Sequence, residues 1–229
     1  MLSVIISVGD IARFNSILKP SLEQTNVLLK SIGLPELDII PISGIKTICE
    51  NYNLGIEVAK YRIRAFIHED VDLLEPNWVF KVLSVFAEYP DAGLVGFIGT
   101  TNPPEKGYWW WSGEQYIKGA CFCREEKLDW SFGPKLFGPV NVESIDGFFM
   151  CTNRNVLFDE NLNSENRELC HFLHLYDSDY CKIIKKMGYT IKVVPHKAWH
   201  RTKITIYPKE QTDMNVEEFY NKWNSKKQQ

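Results

Sequence analysis

The sequence predicts an α/β fold: a mostly parallel central sheet with helices on both faces and a small antiparallel excursion. Two observations carry this. Over residues 1–100, short β-branched runs alternate with stretches of helical periodicity, the pattern of strands joined by crossover helices. From Thr100 to Phe137 that pattern breaks into Pro, Gly and aromatic residues, and it then resumes. At 229 residues, with 45% apolar and 24% charged residues, the chain has the balance of a globular protein able to bury a core.

Leu2 to Val8 is a first strand. Ser21 to Ile32 follows Pro20 as a helix and stops at Gly33. Asp38 to Ile42 is a second strand. Thr47 to Lys60 carries Ile48, Tyr52, Ile56 and Ala59 at helical spacing. Arg62 to His68 is a third strand. Pro76 to Tyr89 is a helix with proline in its first turn, where the missing N–H costs nothing. Gly93 to Gly99 is a fourth strand. Glu114 to Cys123 reads as the antiparallel excursion, and Gly138 to Met150 as a strand running into Asp146-Gly147. A helix from about Leu175 to Met187 ends at Gly188. Tyr189 to Pro195 is the last strand, and Asn215 to Asn224 a terminal helix.

A net charge of −3 makes no electrostatic case for nucleic acid. Six cysteines without a Cys-x-x-Cys spacing read as reduced structural thiols. The start lacks a basic leader, no apolar run approaches the roughly 20 residues a spanning helix needs, and the expectation is a cytoplasmic protein with peripheral membrane contact open. No Gly-x-Gly-x-x-Gly follows the first strand, which disfavours a dinucleotide-binding dehydrogenase.

The most informative stretch is Ala65-Phe66-Ile67-His68-Glu69-Asp70-Val71-Asp72, an apolar run that ends in acids. In extended chain, residues two apart share a side. Asp70 and Asp72 would then leave the end of one strand together and meet a hard cation such as Mg²⁺ or Mn²⁺, which carries substrate phosphates in turn. Strand ends of a parallel sheet are also where ligands bind. The local alternative is a solvated acidic turn. His68, His171 and His174 with the cysteines do not form a closed zinc set.

Further clusters are Asn51-Tyr52-Asn53-Leu54-Gly55-Ile56, Asp146-Gly147-Phe148-Phe149-Met150, Tyr176-Asp177-Ser178-Asp179, Gly188-Tyr189 and His200. Taken in this order, they make the sequence resemble the family 2 glycosyltransferases over about residues 2–200. That family's nucleotide-sugar-binding fold is called GT-A. Asn53-Leu54-Gly55 resembles its Asn-x-Gly helix segment, Asp70-Val71-Asp72 its Asp-x-Asp, and Tyr176-Asp177-Ser178-Asp179 its Glu-Asp-x-Asp. The chain departs from the family after its first strand (Ser7-Val8-Gly9-Asp10), after its second (Ile42-Ser43-Gly44), and at Tyr176.

The resemblance implies one domain over 1–229: a nucleotide-sugar half (1–100), an acceptor half (101–205), and a terminal helix and tail (206–229). It implies an inverting transfer from a nucleotide-diphosphate sugar, UDP-linked by first expectation, to a glycan or lipid-linked acceptor in bacterial surface glycan synthesis. It assigns Mn²⁺ or Mg²⁺ to Asp70, Asp72 and His200, and the donor to Ser7, Asn53 and Asp70. The catalytic base is Asp177; Asp146, Trp110, Trp111 and Asp179 lie on the acceptor side.

Local readings stay open beside these. Asp at a helix start is a common N-cap, and of the pair Asp179 takes the structural task. Asp146 is also a turn aspartate before glycine. Trp109-Trp110-Trp111 is either a stacking platform or core. A nucleotidyltransferase on a related fold would want a Gly-rich basic loop, for which Val8 to Arg13 is a poor candidate. A catalytically degenerate carbohydrate-binding protein is the remaining alternative.

Overall fold

The computed structural model describes residues 1–44, 47–106, 108–123, 131–162, 175–201 and 209–224. Its strands are β1 (Leu2–Val8), β2 (Asp38–Ser43), β3 (Ile63–His68), β4 (Val71–Asp72), β5 (Ala92–Gly96), β6 (Ile98–Thr100) and β7 (Ile117–Gly119). They continue as β8 (Cys121–Cys123), β9 (Ser131–Phe132), β10 (Val140–Val142), β11 (Ser144–Ile145), β12 (Phe149–Thr152), β13 (Thr190–Val193) and β14 (Trp199–His200). The helices are α1 (Ile11–Ser16), α2 (Leu18–Ser31), α3 (Ile48–Val58), α4 (Trp78–Glu88), α5 (Tyr176–Lys186) and α6 (Lys209–Asn224).

Seven strands form the central sheet in the order β10-β13-β5-β12-β3-β1-β2. Five run the same way; β12 and β10 run against them. Alternation along β1 sorts the two faces. Leu2, Val4 and Ile6 pack with Leu18, Leu22 and Leu29 of α2 and Trp78, Val79 and Val82 of α4. Ile5 points the other way, into Cys49, Tyr52 and Ile56 of α3 and Tyr180, Cys181 and Ile184 of α5. Across the first face, the Trp78 indole donates to Thr25 Oγ1 at 2.9 Å.

Local chemistry explains the boundaries. Thr47 and Glu50 form a reciprocal capping box at the start of α3. Asp10 caps α1 by accepting from the amides of Ala12 and Arg13. This six-residue helix is absent from the sequence reading because it is too short for a period to show. The run 93–99 is not one strand. Glycine at 96 and 99 lets β11 cross closely, with a Cβ at Gly99 falling 2.2 Å from the Ser144 carbonyl oxygen. There the chain leaves the main sheet and enters a three-stranded antiparallel one, β11-β6-β7. The run 138–150 is likewise three strands, β10 to β12.

Gly55 lets α3 sit directly on β1. A Cβ there would sit 2.2 Å from Ile5 Cγ2. Helix propensity favours alanine over glycine by about 1 kcal/mol. The clash is with a fully buried side chain of a central strand, and overpacking of this kind costs about 1–3 kcal/mol. Gly55→Ala is therefore expected to lower the urea midpoint rather than raise it.

Cys49, Cys121, Cys151 and Cys181 are buried thiols outside any disulfide. Cys170 and the side chain of Cys123 lie outside the described residues. No helix among the described residues is long and apolar enough to cross a membrane.

Candidate active site

The site is built at the carboxyl ends of β1 and β3. These strands are parallel neighbours, and Ser7 is in register with His68, the last residue of β3. After His68 the chain turns at Glu69 and Asp70, then forms the two-residue β4. The Glu69 carboxylate fastens this turn to the β1–α1 connection by accepting from the amides of Gly9 (2.7 Å) and Asp10 (2.9 Å). β4 pairs antiparallel with β14, which brings His200 opposite Val71. The Arg201 amide closes the corner by donating to the Asp70 carbonyl at 2.9 Å.

This topology gathers His68, Asp70 and His200. One ligand-type atom from each lies within 4.8 Å of the others. His200 Nε2 is 3.3 Å from Asp70 Oδ1 and 3.3 Å from His68 Nδ1. Donor atoms on adjacent corners of a first-row cation's shell, of radius about 2.1 Å, stand roughly 3 Å apart, so the spacing fits a cation. Two imidazoles with one carboxylate suit Mn²⁺-type ions better than Mg²⁺, which prefers oxygen ligands. Burial pushes His68 down to about 4, aided by His200, so its ring is neutral at pH 7. Burial alone would raise the Asp70 carboxyl, but His200, His68 and Arg13 outweigh it and hold the group well below its ordinary value.

A second group of acids lies beside this cluster. Asp146 closes the turn between β11 and β12, its Oδ1 accepting from the Phe148 amide at 2.8 Å. Asp177 lies in the first turn of α5. Its Oδ2 accepts from the Gly147 amide at 3.0 Å and its Oδ1 from the Ser178 amide at 2.7 Å. Gly147 is required here: a Cβ would meet the Tyr176 hydroxyl at 2.1 Å. Burial pushes the Asp177 carboxyl up to about 7; the charge of Asp146 adds to this, and the two amides oppose it. Asp146 is also raised by burial, against His200, the Phe148 amide and Trp109. The Tyr176 hydroxyl joins the two groups through a 2.6 Å hydrogen bond with His68 Nε2.

Three expectations are corrected by this geometry. Asp72 does not join Asp70. Glu69 and Asp70 form a turn rather than extended chain, and Asp70 gathers with His68 and His200 rather than with Asp72. The Asp72 carboxylate is engaged elsewhere, by Ser21 Oγ (2.9 Å), the Leu74 amide (3.1 Å) and Arg201 Nη2 (3.0 Å). Asn53, expected on the donor side, spends its hydrogen bonds within the fold. It is buried and anchors residues 158–160, donating to the Phe158 carbonyl and Glu160 and accepting from the Phe158 amide.

Asp179, expected on the acceptor side by the resemblance and in a structural task by its local sequence, takes a structural one. It is 2% exposed and accepts from the Trp223 indole (2.7 Å) and Lys222 Nζ (2.6 Å), which tie α6 to α5. Neither Asp177 nor Asp179 is the N-cap; that is Leu175, in the left-handed region at φ 73°. Lys222→Met leaves the Asp179 charge with one partner fewer. It is expected to cost about 1–3 kcal/mol, read as an earlier urea midpoint.

Ser7 stands beside the cluster, its Oγ accepting from Asn51 at 2.9 Å. Trp109 is buried, while Trp110 and Trp111 are 40% and 54% exposed and pack on Tyr108, whose ring stacks on Trp110 at 4.5 Å. His171 and His174, which entered the rejected zinc set, lie outside the described residues. Sequence reasoning missed Arg13 and Arg201 altogether. Arg13 Nη2 is 3.5 Å from Asp70 Oδ2 and donates to the Arg201 carbonyl. The arginines are far apart in sequence, and neither carries a local signal.

The mixed sheet thus carries a cation-type donor set and two buried acids at its strand ends. The Glycosyltransferase like family matches residues 17–224, and the chain belongs to that family. Among solved structures, GalNAc-T7 with UDP, GalNAc and Mn²⁺ is similar at a TM-score of 0.54 and 10% identity, over 90% of this chain and 45% of that one. The mannosyltransferase PcManGT from Pyrobaculum calidifontis, in complex with GDP-Man and Mn²⁺, is similar at 0.51 and 10% identity, over 90% of this chain and 58% of that one. S. aureus TarS 1–349 gives 0.48 at 8% identity, over 98% of this chain and 72% of that one. For GalNAc-T7 and PcManGT the likeness is one of fold. A comparison with curated proteins finds no match.

Proposed function

We propose that the chain transfers a sugar from a nucleotide-diphosphate sugar to an acceptor hydroxyl with inversion at the anomeric carbon. Its cation would be held by Asp70, His200 and His68, with Mn²⁺ preferred over Mg²⁺ by the two imidazoles. The observation that carries the reading is the Tyr176–His68 hydrogen bond, which ties the cation-type donor set to the first turn of α5, where Asp177 lies buried with a value near 7.

A divalent cation there supplies Lewis-acid neutralisation of the diphosphate leaving group. The protein's own residues do the rest. Asp177 accepts the proton of the incoming hydroxyl as the new C1–O bond forms and the bond from C1 to the phosphate oxygen breaks. A carboxylate with a value near 7 is well matched to that task at neutral pH. Asp146 keeps the Asp177 value high and orients the acceptor hydroxyl. The exposed faces of Trp110 and Trp111 offer a surface on which a sugar ring stacks. Ser7 lies on the donor side. The resemblance to family 2 glycosyltransferases supports a cytoplasmic setting, UDP as the carrier, and a glycan or lipid-linked acceptor in surface glycan synthesis.

The test is product analysis after incubating the protein with UDP-sugars and Mn²⁺. Release of UDP that stops on chelation, with inverted configuration at C1 of the product by NMR, is the expected result. Release of UMP or pyrophosphate would mean attack at phosphorus. Binding without consumption would mean a carbohydrate-binding protein. Either outcome would overturn the proposal.

A further inference from the structure

Resting on the cation site just proposed, we infer that Arg13 is a stand-in cation: it neutralises Asp70 in the free protein and moves onto the donor's diphosphate when a divalent ion takes Asp70.

The two oxygens of Asp70 are divided between partners. Oδ1 faces His200 at 3.3 Å, and Oδ2 faces Arg13 Nη2 at 3.5 Å. The second distance is beyond good hydrogen-bond length, so the pair is held by charge more than by a directed bond. Arg13 comes from α1, whose start is fixed by the Asp10 cap and whose approach is fixed by Glu69. Its backbone is thus anchored against the turn that carries Asp70. Its side chain is 24% exposed, and Nη2 also donates to the Arg201 carbonyl, a contact with a neutral group that the guanidinium exchanges for phosphate oxygens when it moves.

A guanidinium and a divalent ion cannot share one carboxylate without mutual repulsion. Each must therefore weaken the other's hold on Asp70, and by linkage the effect is reciprocal. A diphosphate changes the balance. It brings negative charge to the same corner, and a planar guanidinium binds phosphate oxygens in a fork. Arg13 then gains a partner as the cation displaces it. The cation binds weakly to the free protein and tightly with the nucleotide, which couples the two ligands beyond their direct contact. Arg201 does not share this role: its Nη2 is held by Asp72 at 3.0 Å, and its guanidinium lies over the Trp199 ring at 3.8 Å.

The test compares wild type with Arg13→Met, which keeps bulk and removes charge, and Arg13→Lys, which keeps charge and removes the fork. Mn²⁺ alone is titrated by electron paramagnetic resonance, and UDP is titrated by calorimetry at saturating Mn²⁺. Arg13→Met is expected to bind Mn²⁺ alone about 5-fold more tightly and UDP with Mn²⁺ about 10-fold more weakly, in line with ordinary coupling factors. Arg13→Lys is expected to keep the wild-type Mn²⁺ affinity and to recover only part of the UDP affinity. Shifts of opposite sign are the signature, because a merely structural arginine would weaken both. Unchanged or weaker Mn²⁺ binding in Arg13→Met, with wild type binding both ligands, would overturn the role of Arg13 alone. Failure of wild type to take up Mn²⁺ even with UDP would overturn the cation site itself and this inference with it.

Discussion

Asp177→Asn is expected to leave Mn²⁺ and UDP binding within about twofold of wild type and to lower transfer by about 10²–10⁴-fold, the range for loss of a general base. The substitution keeps size and shape at a buried position and removes only the capacity to take a proton. The pH profile adds a second readout. Asp177 must be ionised to act, and burial with Asp146 beside it pushes its value up to about 7. Activity therefore falls as pH drops below about 7, close to tenfold per unit once the carboxyl is protonated. The titratable groups around Asp177 include Asp146, the Tyr176 and Tyr52 hydroxyls and the Cys181 thiol, all raised by burial, so the limb belongs to the Asp146–Asp177 pair. Stability runs the opposite way. An unfolded Asp ionises near 3.8, and the folded one resists until about 7. The native state then holds the extra proton between these values, and stability falls as pH rises across that window. That slope is expected to shrink in Asp177→Asn, measured as melting temperature at pH 5 against pH 8.

Asp70→Asn is expected to reduce Mn²⁺ affinity at least about 100-fold, because it removes the one anion among the three donors and leaves only the two imidazoles. Donor binding in the presence of Mn²⁺ and transfer fall with it. The change also leaves the Arg13 charge, 3.5 Å away, without its counter-charge and turned against the incoming cation. Calorimetry with Mn²⁺ and UDP measures the loss. An affinity within a few-fold of wild type would place the ion elsewhere.

Much of the sheet was legible because β-branched runs and helical periods repeat over residues 1–100: β1, β2, β3, α2, α3 and α4 fall within a few residues of the expected spans. The strand breaks at 93–99 and 138–150 were not. There, glycines at 96 and 99 matter through what crosses them, Ile145 and the Ser144 carbonyl, and that partner is distant in sequence. The site shows the same divide. Asp70, Asp146, Asp177 and His200 stand in named motifs, and the structure draws them into one region. Asp72 carried the same motif signal, yet a two-residue turn moved it into the hold of Ser21 and Arg201. Asn53 and Asp179 likewise lie in motifs but spend their hydrogen bonds on residues 158–160 and on α6. Arg13 has no sequence signal, because its meaning comes only from its reach to Asp70.

The most direct measurement is an anomalous difference map from a crystal soaked with UDP and Mn²⁺. One Mn²⁺ peak is expected at coordination distance, about 2.1–2.3 Å, from the Asp70 carboxylate and His200 Nε2, with Asp72 still held by Ser21 and Arg201. A peak coordinated by Asp72, or no peak beside Asp70 with UDP in place, would contradict it.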